Sequence, residues 1–492
     1  MLSNESACPA AEQDAAFPPS EAPPAPEWPH PFRPEVIRPG FGRISSYAIA
    51  LEAWRRGLQV TALSSGLYTY RITDSNGRAV VFNGSRPSMT SKRATTIARD
   101  KHAANRYLRD AGLPVAMAER VTAGEGPARL KAIAEKLTYP LVIKPATGSQ
   151  GRGVFTNIET FTELRDYYHH LTSVLGVRNV VLETQLSGET EIRVLVINGR
   201  IAGAVHRVPA NVVGDGRATV SELIEQKNIE RSRNPFLSSG PIVVDREVEE
   251  HLQAADVALD RVLPAGHRLQ LRSISNASAG GDSIDVTDTL PEEIGLDCVR
   301  AVASIPDMFC AGVDVLVDTR SGACTRHSIV EINATPQIGL NMYPSHGKGR
   351  DVPKMWLDEC FPDSARSGHL AEESLTFSYR QLVAPLRAGV ASEVTLAAIP
   401  PSRLPCRHIY NFPDRARLTT AERRRLEKRA LDLGIAGRIK QEQTSFKLTI
   451  AADDHDDCRA FETVVRTIFD DREPESVKPW TGIVRHGFTV LS

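Results

Sequence analysis

Two short β-favouring runs, each with acidic side chains among apolar residues, constrain the fold of this chain most strongly. Residues 311–318 and 329–336 both favour strands, and the Ser321-Gly322 pair between them is a turn signal. We therefore predict a β-hairpin. The register of its ladder follows if Asp318 faces His327 across the hairpin.

In that register Asp314 lies opposite Glu331, and directly opposed residues have Cβ atoms about 4.5–5.5 Å apart. Asn333 points to the same side as Glu331, because alternate side chains of a strand share a face. Three converging oxygen-bearing side chains favour a hard cation such as Mg²⁺. The alternative is an edge hairpin with solvated acids. The β-branched neighbours argue against it, since they favour burial and a buried acid needs a partner.

The length and charge of the chain bound its organisation. A chain of 492 residues exceeds one ordinary core, so we expect two or three domains. Its hydrophobic content of 41% and charged content of 24% are typical of a globular protein. A net charge of -1 gives no bulk field that would recruit nucleic acid or an acidic membrane surface. No apolar run is long enough to cross a bilayer, so we expect neither nucleic acid nor a membrane as a partner.

Cysteine usage and N-terminal composition bear on the compartment. The seven cysteines form no Cys-x-x-Cys pair and their number is odd, so neither a zinc ribbon nor a disulfide framework is indicated. A reducing cytoplasm is the simplest location. Residues 1–40 are rich in Pro, Ala, Ser and Glu, and they lack the basic and apolar segments of a signal peptide. We predict a disordered leader there, with a partner-binding Pro-rich ligand as the alternative.

A loop of small residues follows a predicted strand at 141–145. Glycines at 148, 151 and 153 let the backbone approach a phosphate closely, and successive loop N–H groups can form an anion nest. Lys144 at the strand end adds a fixed ammonium. The loop is not a P-loop, because no Gly-Lys-Ser/Thr opens a helix. A hairpin turn with an incidental lysine is the open alternative.

The remaining chain alternates helices and strands. We predict helices at 44–56, 95–112, 128–136, 160–175, 221–228 and 291–305, and strands at 59–63, 68–72, 79–82, 179–186, 191–197, 201–208 and 282–287. After a linker at 363–373, strand-like runs at 375–382, 394–398, 444–450 and 482–491 alternate with helices at 419–433 and 457–469. This order favours a small α+β sandwich.

Several stretches, taken in order, resemble the ATP-grasp superfamily of carboxylate–amine ligases, and within it the ATP-grasp half of cyanophycin synthetases most. They are residues 100–101 through 111–114, 144–145 with 151–154, 193–198, 209–216, 276–287 and 331–344. Each motif is weak alone, but their order over residues 45–353 is specific.

The resemblance implies an α+β or α/β fold class, namely an ATP-grasp fold in which two α+β subdomains grip ATP. It implies a truncated pre-ATP-grasp region at 41–92 and the ATP-grasp domain at 93–362. An extra small C-terminal α+β domain at 374–492 follows the linker.

The resemblance also implies roles for individual residues. Two arginines, Arg193 and Arg207, would face the transferred phosphate as catalytic groups, and Asn276 and Ser278 would lie near the substrate. The metal would be held by Asp314, Glu331 and Asn333. ATP would be bound by Lys101, Lys144, Gly148, Ser149, Gln150, Gly151, Gly153, Glu183, Leu186 and Glu191.

The implied activity is ATP-dependent formation of an amide bond between amino-acid or peptide substrates, through an acyl phosphate, with release of ADP and phosphate. A small-molecule kinase on the same fold and a non-catalytic nucleotide-binding protein are the alternatives. The implied cofactors are ATP and Mg²⁺, with Mn²⁺ as a substitute. Small-molecule substrates are the implied partners, a homo-oligomer is left open, and the expected location is cytoplasmic.

Four positions depart from the family pattern. Gly312 stands where D-Ala–D-Ala ligases carry an arginine, two residues before the metal aspartate. Gln337 follows Pro336 where relatives have glycine, and Gly339 replaces an arginine. His346 stands where an acid is usual. These positions surround the acceptor side of the expected site, so the identity of the substrates stays open.

Overall fold

The computed structural model describes residues 25–147, 153–185, 190–318, 326–366, 373–399, 403–413, 417–442 and 445–491. The described chain divides into two compact units. Unit 1 comprises residues 25–28 and 86–352, and unit 2 comprises residues 29–85 and 353–491. No helix in the described ranges is long and apolar enough to span a membrane. The domain boundaries that we expect from the sequence stay predictions.

The regular elements are named here in chain order. The helices are α1 (Pro34–Ile37), α2 (Ile44–Arg55), α3 (Lys92–Arg99), α4 (Lys101–Asp110), α5 (Pro127–Ala134), α6 (Phe161–His169), α7 (Val220–Arg233), α8 (Arg246–Ala254), α9 (Glu292–Ser304), α10 (Gly339–Met342), α11 (Val352–Cys360), α12 (Tyr379–Arg387), α13 (Thr420–Asp432) and α14 (His455–Ile468).

The strands are β1 (Gln59–Ala62), β2 (Thr69–Thr73), β3 (Ala79–Asn83), β4 (Arg86–Pro87), β5 (Ala118–Thr122), β6 (Leu141–Pro145), β7 (Phe155–Ile158), β8 (Asn179–Thr184), β9 (Thr190–Ile197), β10 (Arg200–Val208), β11 (Asn211–Val213), β12 (Arg268–Gln270), β13 (Asp282–Asp285), β14 (Cys310–Asp318), β15 (Arg326–Asn333), β16 (Leu375–Thr376), β17 (Val394–Thr395), β18 (Cys406–Pro413), β19 (Ala436–Gln441), β20 (Ser445–Ala452), β21 (Ser476–Pro479), β22 (Val484–Arg485) and β23 (Phe488–Leu491).

The main sheet of unit 1 has the order β13-β10-β9-β14-β15, and every neighbouring pair is antiparallel. One face is apolar, because Ile192 and Val194 of β9 and Val313 and Val315 of β14 pack into a core with residues of α3, α4 and α9. Burial of each such side chain contributes about 1.5–3 kcal/mol. The residues that alternate with them therefore lie on the opposite face, where the polar groups collect.

Strands β14 and β15 form the predicted hairpin, but the register predicted near its turn is wrong. Asp318 pairs with Arg326, and Val317 pairs with His327, so the expected pairing of Asp318 with His327 is off by one residue. The observed register places an acid opposite a base, which is the more favourable cross-strand pair. The turn residues 319–325 lie outside the described ranges.

A β-bulge restores the predicted pairing further along the hairpin. Val315 pairs with Ile329, whereas Asp314 pairs with Glu331. Val330 is the extra residue of β15, and it leaves Ile329 in the core while Glu331 returns to the polar face. The sequence therefore predicted the correct partner for Asp314 from an incorrect register.

The second sheet of unit 1 is smaller and has the antiparallel order β5-β8-β6-β7. Its apolar face, with Leu141, Ile143 and Leu182, packs in one core with buried residues of α5 and α6. Unit 1 thus contains two α+β layers, each with helices on one face of an antiparallel sheet.

The helix predicted at 95–112 is two helices. Asp100 has an extended backbone (φ -91°, ψ 101°), ends α3, and accepts a hydrogen bond from the Ala103 N–H at 3.0 Å as the N-cap of α4. The apolar periodicity continues through this break, so the pattern gave no warning of it. Lys101 becomes the first residue of α4.

The described part of unit 2 contains two larger sheets and the two-stranded parallel sheet β16–β22. Strands β1, β2 and β3 form antiparallel pairs beside the almost wholly buried helix α2, and β17 pairs with β1. The other larger sheet has the order β21-β18-β20-β19-β23. Its chain order β18-α13-β19-β20-α14-β21 is the split β-α-β pattern of ferredoxin-like sandwiches. Both helices and the inner face of the sheet share one core.

Several expectations for unit 2 are wrong. The strand predicted at 375–382 is the short β16 followed by α12, and β18 and β19 were not predicted. In β19, Arg438 and Lys440 alternate with buried positions, so the strand looks polar in sequence. The leader predicted to be disordered through residue 40 contains α1, and Phe32, Val36 and Ile37 are fully buried.

We predict that Asp100→Ala lowers the free energy of unfolding by about 1–2 kcal/mol, because it removes the N-cap of α4 and a partly exposed ion pair with Arg120. Burial works to raise the pKa of Asp100, but the Ala103 N–H and Arg120 lower it overall. The contribution is therefore fully present above the unfolded-state pKa and is lost as the pH falls through the folded-state pKa.

Urea unfolding of both proteins from pH 7 to pH 3 measures this difference. Asp110→Ala, at the exposed end of the same helix, is the control and should change the stability little. A difference for Asp100→Ala that persists undiminished at low pH would contradict the assignment.

Candidate active site

Four charged side chains line one cleft of unit 1. Lys101, Lys144, Glu183 and Glu331 line it together with apolar residues of α3, α4 and β15. The two glutamates come from different sheets, since Glu183 lies on β8 and Glu331 on β15. The cleft therefore lies between the two α+β layers, and each layer contributes a carboxylate to it.

Lys101 is placed in the cleft by the break between α3 and α4. Its backbone N–H donates to the Ala146 carbonyl at 3.0 Å, and its Nζ lies 2.9 Å from Glu331 Oε2. The positive end of the α4 dipole adds to the charge of the ammonium at this point. Both effects favour a phosphate group beside Lys101.

Lys144 and Glu183 form the second ion pair of the cleft. They lie on the adjacent strands β6 and β8, and Lys144 Nζ is 2.5 Å from Glu183 Oε1. Their side chains are only 8% and 14% exposed. Each charge therefore depends on the other for compensation, because burial of an unpaired ion is costly.

Arg193 and Asp314 pair on the polar face of the main sheet. They are register partners on β9 and β14, and Arg193 Nη1 lies 3.0 and 3.1 Å from the two oxygens of Asp314. A Cβ at position 312 would lie 2.8 Å from Arg193 Nη2. Gly312 thus leaves the space that the Arg193 guanidinium occupies. Strand β14 contains no arginine, so the arginine beside Asp314 comes from β9.

Arg207 contacts both Glu191 and Asp314 on the polar face of the main sheet. Its Nη1 donates to Glu191 at 2.7 Å, lies 3.7 Å from Asp314 Oδ2, and its Nε donates to the Ser275 carbonyl at 3.0 Å. The Ser275 hydroxyl also donates to Glu191. Burial raises the pKa of Glu191, Arg207 opposes that shift, and the charge of Asp314 adds to it.

The predicted magnesium ligands are brought together in part. Asp314 and Glu331 are cross-strand partners, and Asn333 pairs with Gly312 at the next position on the same face. Asn333 Oδ1 accepts the Thr335 N–H at 2.9 Å, so one of its lone pairs is engaged. No group of three or more His, Cys, Asp or Glu side chains within the described ranges could hold a metal ion. Two carboxylates and an amide fit Mg²⁺ if water molecules or phosphate oxygens complete its shell.

Of the predicted substrate residues, Asn276 is the N-cap of a short 3₁₀ turn, Ala277–Ala279, and Ser278 lies within that turn. Asn276 Oδ1 accepts the Ser278 N–H at 3.1 Å and the Ser278 hydroxyl at 2.9 Å. Ser275 connects this turn to Glu191 and Arg207. The turn is thus attached to the polar face of the main sheet.

Five predicted ATP-binding residues, Gly148, Ser149, Gln150, Gly151 and Leu186, lie outside the described ranges. Gly153, which follows four of them, has a φ of +70°, and a Cβ there would lie 3.1 Å from Leu171. Only glycine adopts this conformation readily, which agrees with a tight turn at the end of the loop.

Neither Ser275 nor any of these ion pairs was predicted from the sequence. Ser275 lies in a polar loop whose composition gave no sign of a particular contact. The pairs Lys101–Glu331 and Arg193–Asp314 join residues more than a hundred positions apart, so no local pattern encodes them.

Two antiparallel α+β layers with a charged cleft between them are the arrangement expected of the ATP-grasp class of proteins, and the sequence comparisons support the resemblance to that superfamily. Residues 100–225 match the family model "Carbamoyl-phosphate synthase L chain, ATP binding domain". The fold class and the family resemblance that the sequence indicated are thereby confirmed.

Individual relatives extend the match. The chain is 32% identical to cyanophycin synthetase of Trichormus variabilis over 340 residues, which are 68% of this chain and 36% of that protein. It is 33% identical over 276 residues to cyanophycin synthetase of Synechocystis sp., covering 55% of this chain and 31% of that protein. The chain thus spans about a third of the length of these relatives.

A solved structure shows the same fold. The crystal structure of a bifunctional glutathione synthetase from Pasteurella multocida matches with a TM-score of 0.52 and 24% identity, over 65% of this chain and 44% of that chain. A glutathione biosynthesis bifunctional protein of Streptococcus thermophilus is 28% identical over 327 residues, which cover 65% of this chain and 43% of that protein.

We predict that Gly312→Ala separates Arg193 from Asp314 and lowers the free energy of unfolding by about 1–3 kcal/mol, because the new Cβ overlaps the guanidinium. Denaturant unfolding measures this loss. Gly66→Ala is a matched control, since a Cβ at Gly66 would also meet a guanidinium, that of Arg43, but at an ordinary 3.7 Å. Equal stability of the two variants would show that Gly312 does not make room for Arg193.

Proposed function

We propose that this chain is an ATP-dependent ligase that joins an amino-acid or peptide carboxylate to an amine, through an acyl phosphate. The observation that carries the proposal is the set of four paired cations and carboxylates on the cleft and the adjoining polar face. The pairs are Lys101–Glu331, Lys144–Glu183, Arg193–Asp314 and Arg207–Glu191. Similarity to ATP-grasp enzymes named as synthetases supports it.

The lysines of two of these pairs can exchange their glutamate partners for the phosphates of a nucleotide. Lys101 and Lys144 line the same cleft, and each now neutralises a glutamate. A triphosphate entering the cleft offers these ammonium groups a more highly charged partner. We propose that the lysines then bind phosphate oxygens, which frees Glu331 and Glu183 for the metal and the adenine, respectively.

Phosphoryl transfer needs positioning and charge cancellation rather than covalent help from the protein. Arg193 and Arg207 lie beside Asp314, where the metal and the transferred phosphate would meet. Pre-placed guanidinium groups stabilise developing charge without reorganisation during the reaction. Mg²⁺, held by Asp314, Glu331 and Asn333, would neutralise phosphate oxygens when bound.

An acyl phosphate is needed because oxide is a poor leaving group from a carboxylate. Transfer of the γ-phosphoryl group from ATP breaks the bond from the γ-phosphorus to the β–γ bridging oxygen, releases ADP and makes a C–O–P bond. Attack by the amine then forms the C–N bond, breaks the C–O bond and expels phosphate. The amine must lose a proton during this attack. Water would hydrolyse the acyl phosphate, so the site has to exclude it during both steps.

We predict that Lys144→Met reduces ATP-dependent turnover at least about a hundredfold, because a charge-stabilising donor is lost from the phosphates. The assay is phosphate release over a pairwise panel of the twenty amino acids, with product mass measured alongside. Lys131→Met is the control, since Lys131 lies on α5 of the same layer with its side chain 61% exposed. Turnover unchanged in Lys144→Met would refute the proposed role.

The same panel separates the alternatives. A ligase releases phosphate only when both substrates are present, and the product contains a new amide. A phosphorylated product without an amide would assign the chain as a kinase instead. Binding of ATP without turnover on any substrate pair would leave only a nucleotide-binding protein.

We further predict that Lys101→Met increases the affinity of the protein for Mn²⁺ alone several-fold, because removing the ammonium leaves Glu331 free to bind the ion. Electron paramagnetic resonance titration without nucleotide measures this affinity. Lys92→Met, on the exposed side of α3, should behave as wild type. An unchanged or weaker affinity in Lys101→Met would contradict the exchange of partners.

A further inference from the structure

A buried arginine outside the proposed catalytic groups holds the turn that carries Asn276 and Ser278. Arg231 lies near the end of α7 and is 4% exposed. Its Nε and Nη2 donate to the Gly240 carbonyl at 3.0 and 2.6 Å, Nη2 also donates to the Ala277 carbonyl at 2.7 Å, and Nη1 donates to the Gly281 carbonyl at 2.9 Å. One side chain therefore joins the backbone at Gly240 to the turn that runs from Ala277 to Gly281.

The charge of Arg231 is balanced within the same cluster. Asp282 Oδ1 lies 3.6 Å from Arg231 Nη1, and Asp282 Oδ2 accepts from Lys227 at 2.6 Å and from Asn211 Nδ2 at 3.0 Å. Each of the three guanidinium nitrogens of Arg231 thus donates to a backbone carbonyl, and Nη1 also lies near the Asp282 carboxylate. A lysine could not reproduce this arrangement, because it presents a point charge instead of a planar fork.

The segments joined by Arg231 approach each other closely. A Cβ at Gly240 would lie 2.5 Å from the Ala277 carbonyl oxygen and 2.6 Å from Ser278 Cα. Gly280 has a φ of +94°, and a Cβ at Gly281 would lie 2.9 Å from the Asn276 carbonyl oxygen. Three glycines thus let the turn pack against its neighbours, while Arg231 satisfies the carbonyls that are buried there.

The other end of the turn, at Ser275, is held by Arg207 and Glu191 of the candidate active site. Arg207 Nε donates to the Ser275 carbonyl, and the Ser275 hydroxyl donates to Glu191. The turn is therefore fixed at Ser275 by Arg207 and at Ala277 by Arg231. Asn276 and Ser278 lie between and beside these two points of attachment.

We propose that Arg231 is a positioning residue, which holds the turn of Asn276 and Ser278 in register with Arg207 so that it can receive a substrate. Arg231 touches no proposed reacting group itself. The proposal rests on the proposed function only for the identity of the bound molecule as a ligase substrate. The mechanical part, that Arg231 orders this turn, stands on the contacts alone.

Hydrogen exchange tests the mechanical part in the full chain without any substrate. In Arg231→Lys we expect the amides of residues 278–281 to exchange on the order of tenfold faster, because the carbonyl contacts that hold the turn are lost. Arg233→Lys is the matched control, since Arg233 lies exposed on the same helix. Unchanged exchange in Arg231→Lys would overturn the proposal. Faster exchange spread over β9 and β14 would also overturn it, because that would indicate a general role in stability.

Steady-state kinetics test the functional part with the substrate pair that gives turnover in the amino-acid panel. We expect Arg231→Lys to raise the KM of one of these substrates about tenfold or more, while the KM of ATP and the binding of AMP-PNP stay as in wild type. Equal changes in the KM of ATP and of the substrates would overturn a local role. If wild type shows no turnover, the proposed function fails, and the exchange experiment still decides whether Arg231 orders the turn.

Discussion

The ion pairs between acidic and basic side chains on the polar face of the main sheet are the constraint on which the rest of unit 1 depends. Asp314 is 9% exposed, and an isolated carboxylate that is so buried would be costly. Arg193 and Arg207 compensate it from β9 and β10. Strand β9 therefore lies between β10 and β14, so that both arginines reach Asp314, and this order brings Glu191 into the same group.

The apolar face of the same sheet sets the geometry of the charges. Alternate residues of β9 and β14 enter one core, so their charged neighbours are held on the opposite side without freedom to turn. The bulge at Val330 extends this coupling to β15, because Ile329 and Ile332 both reach the core although they are three residues apart. Glu331 consequently faces Asp314, as a shared cation requires.

The sequence predicted much of this arrangement, for physical reasons that also explain its errors. Strand alternation is local, so the faces of Glu191, Arg193 and Asp314 could be read from their neighbours. The register of the hairpin depends on its turn and on a bulge, and alternation encodes neither.

The break at Asp100 was hidden because its N-cap interaction leaves the apolar pattern unchanged. The ferredoxin-like sheet of unit 2 was partly missed because β19 alternates charged with buried residues and reads as loop. The contacts of Ser275 and Arg231 are long-range, and only the folded chain brings them together.

The central claim is that the lysines of the cleft exchange carboxylates for phosphates. A crystal structure with AMP-PNP and Mn²⁺ tests it most directly, because the anomalous signal of manganese locates the ion. The account predicts manganese between Asp314 and Glu331, with Lys101 and Lys144 moved onto phosphate oxygens. Nucleotide bound elsewhere, or ion pairs that persist unchanged beside a bound nucleotide, would contradict it.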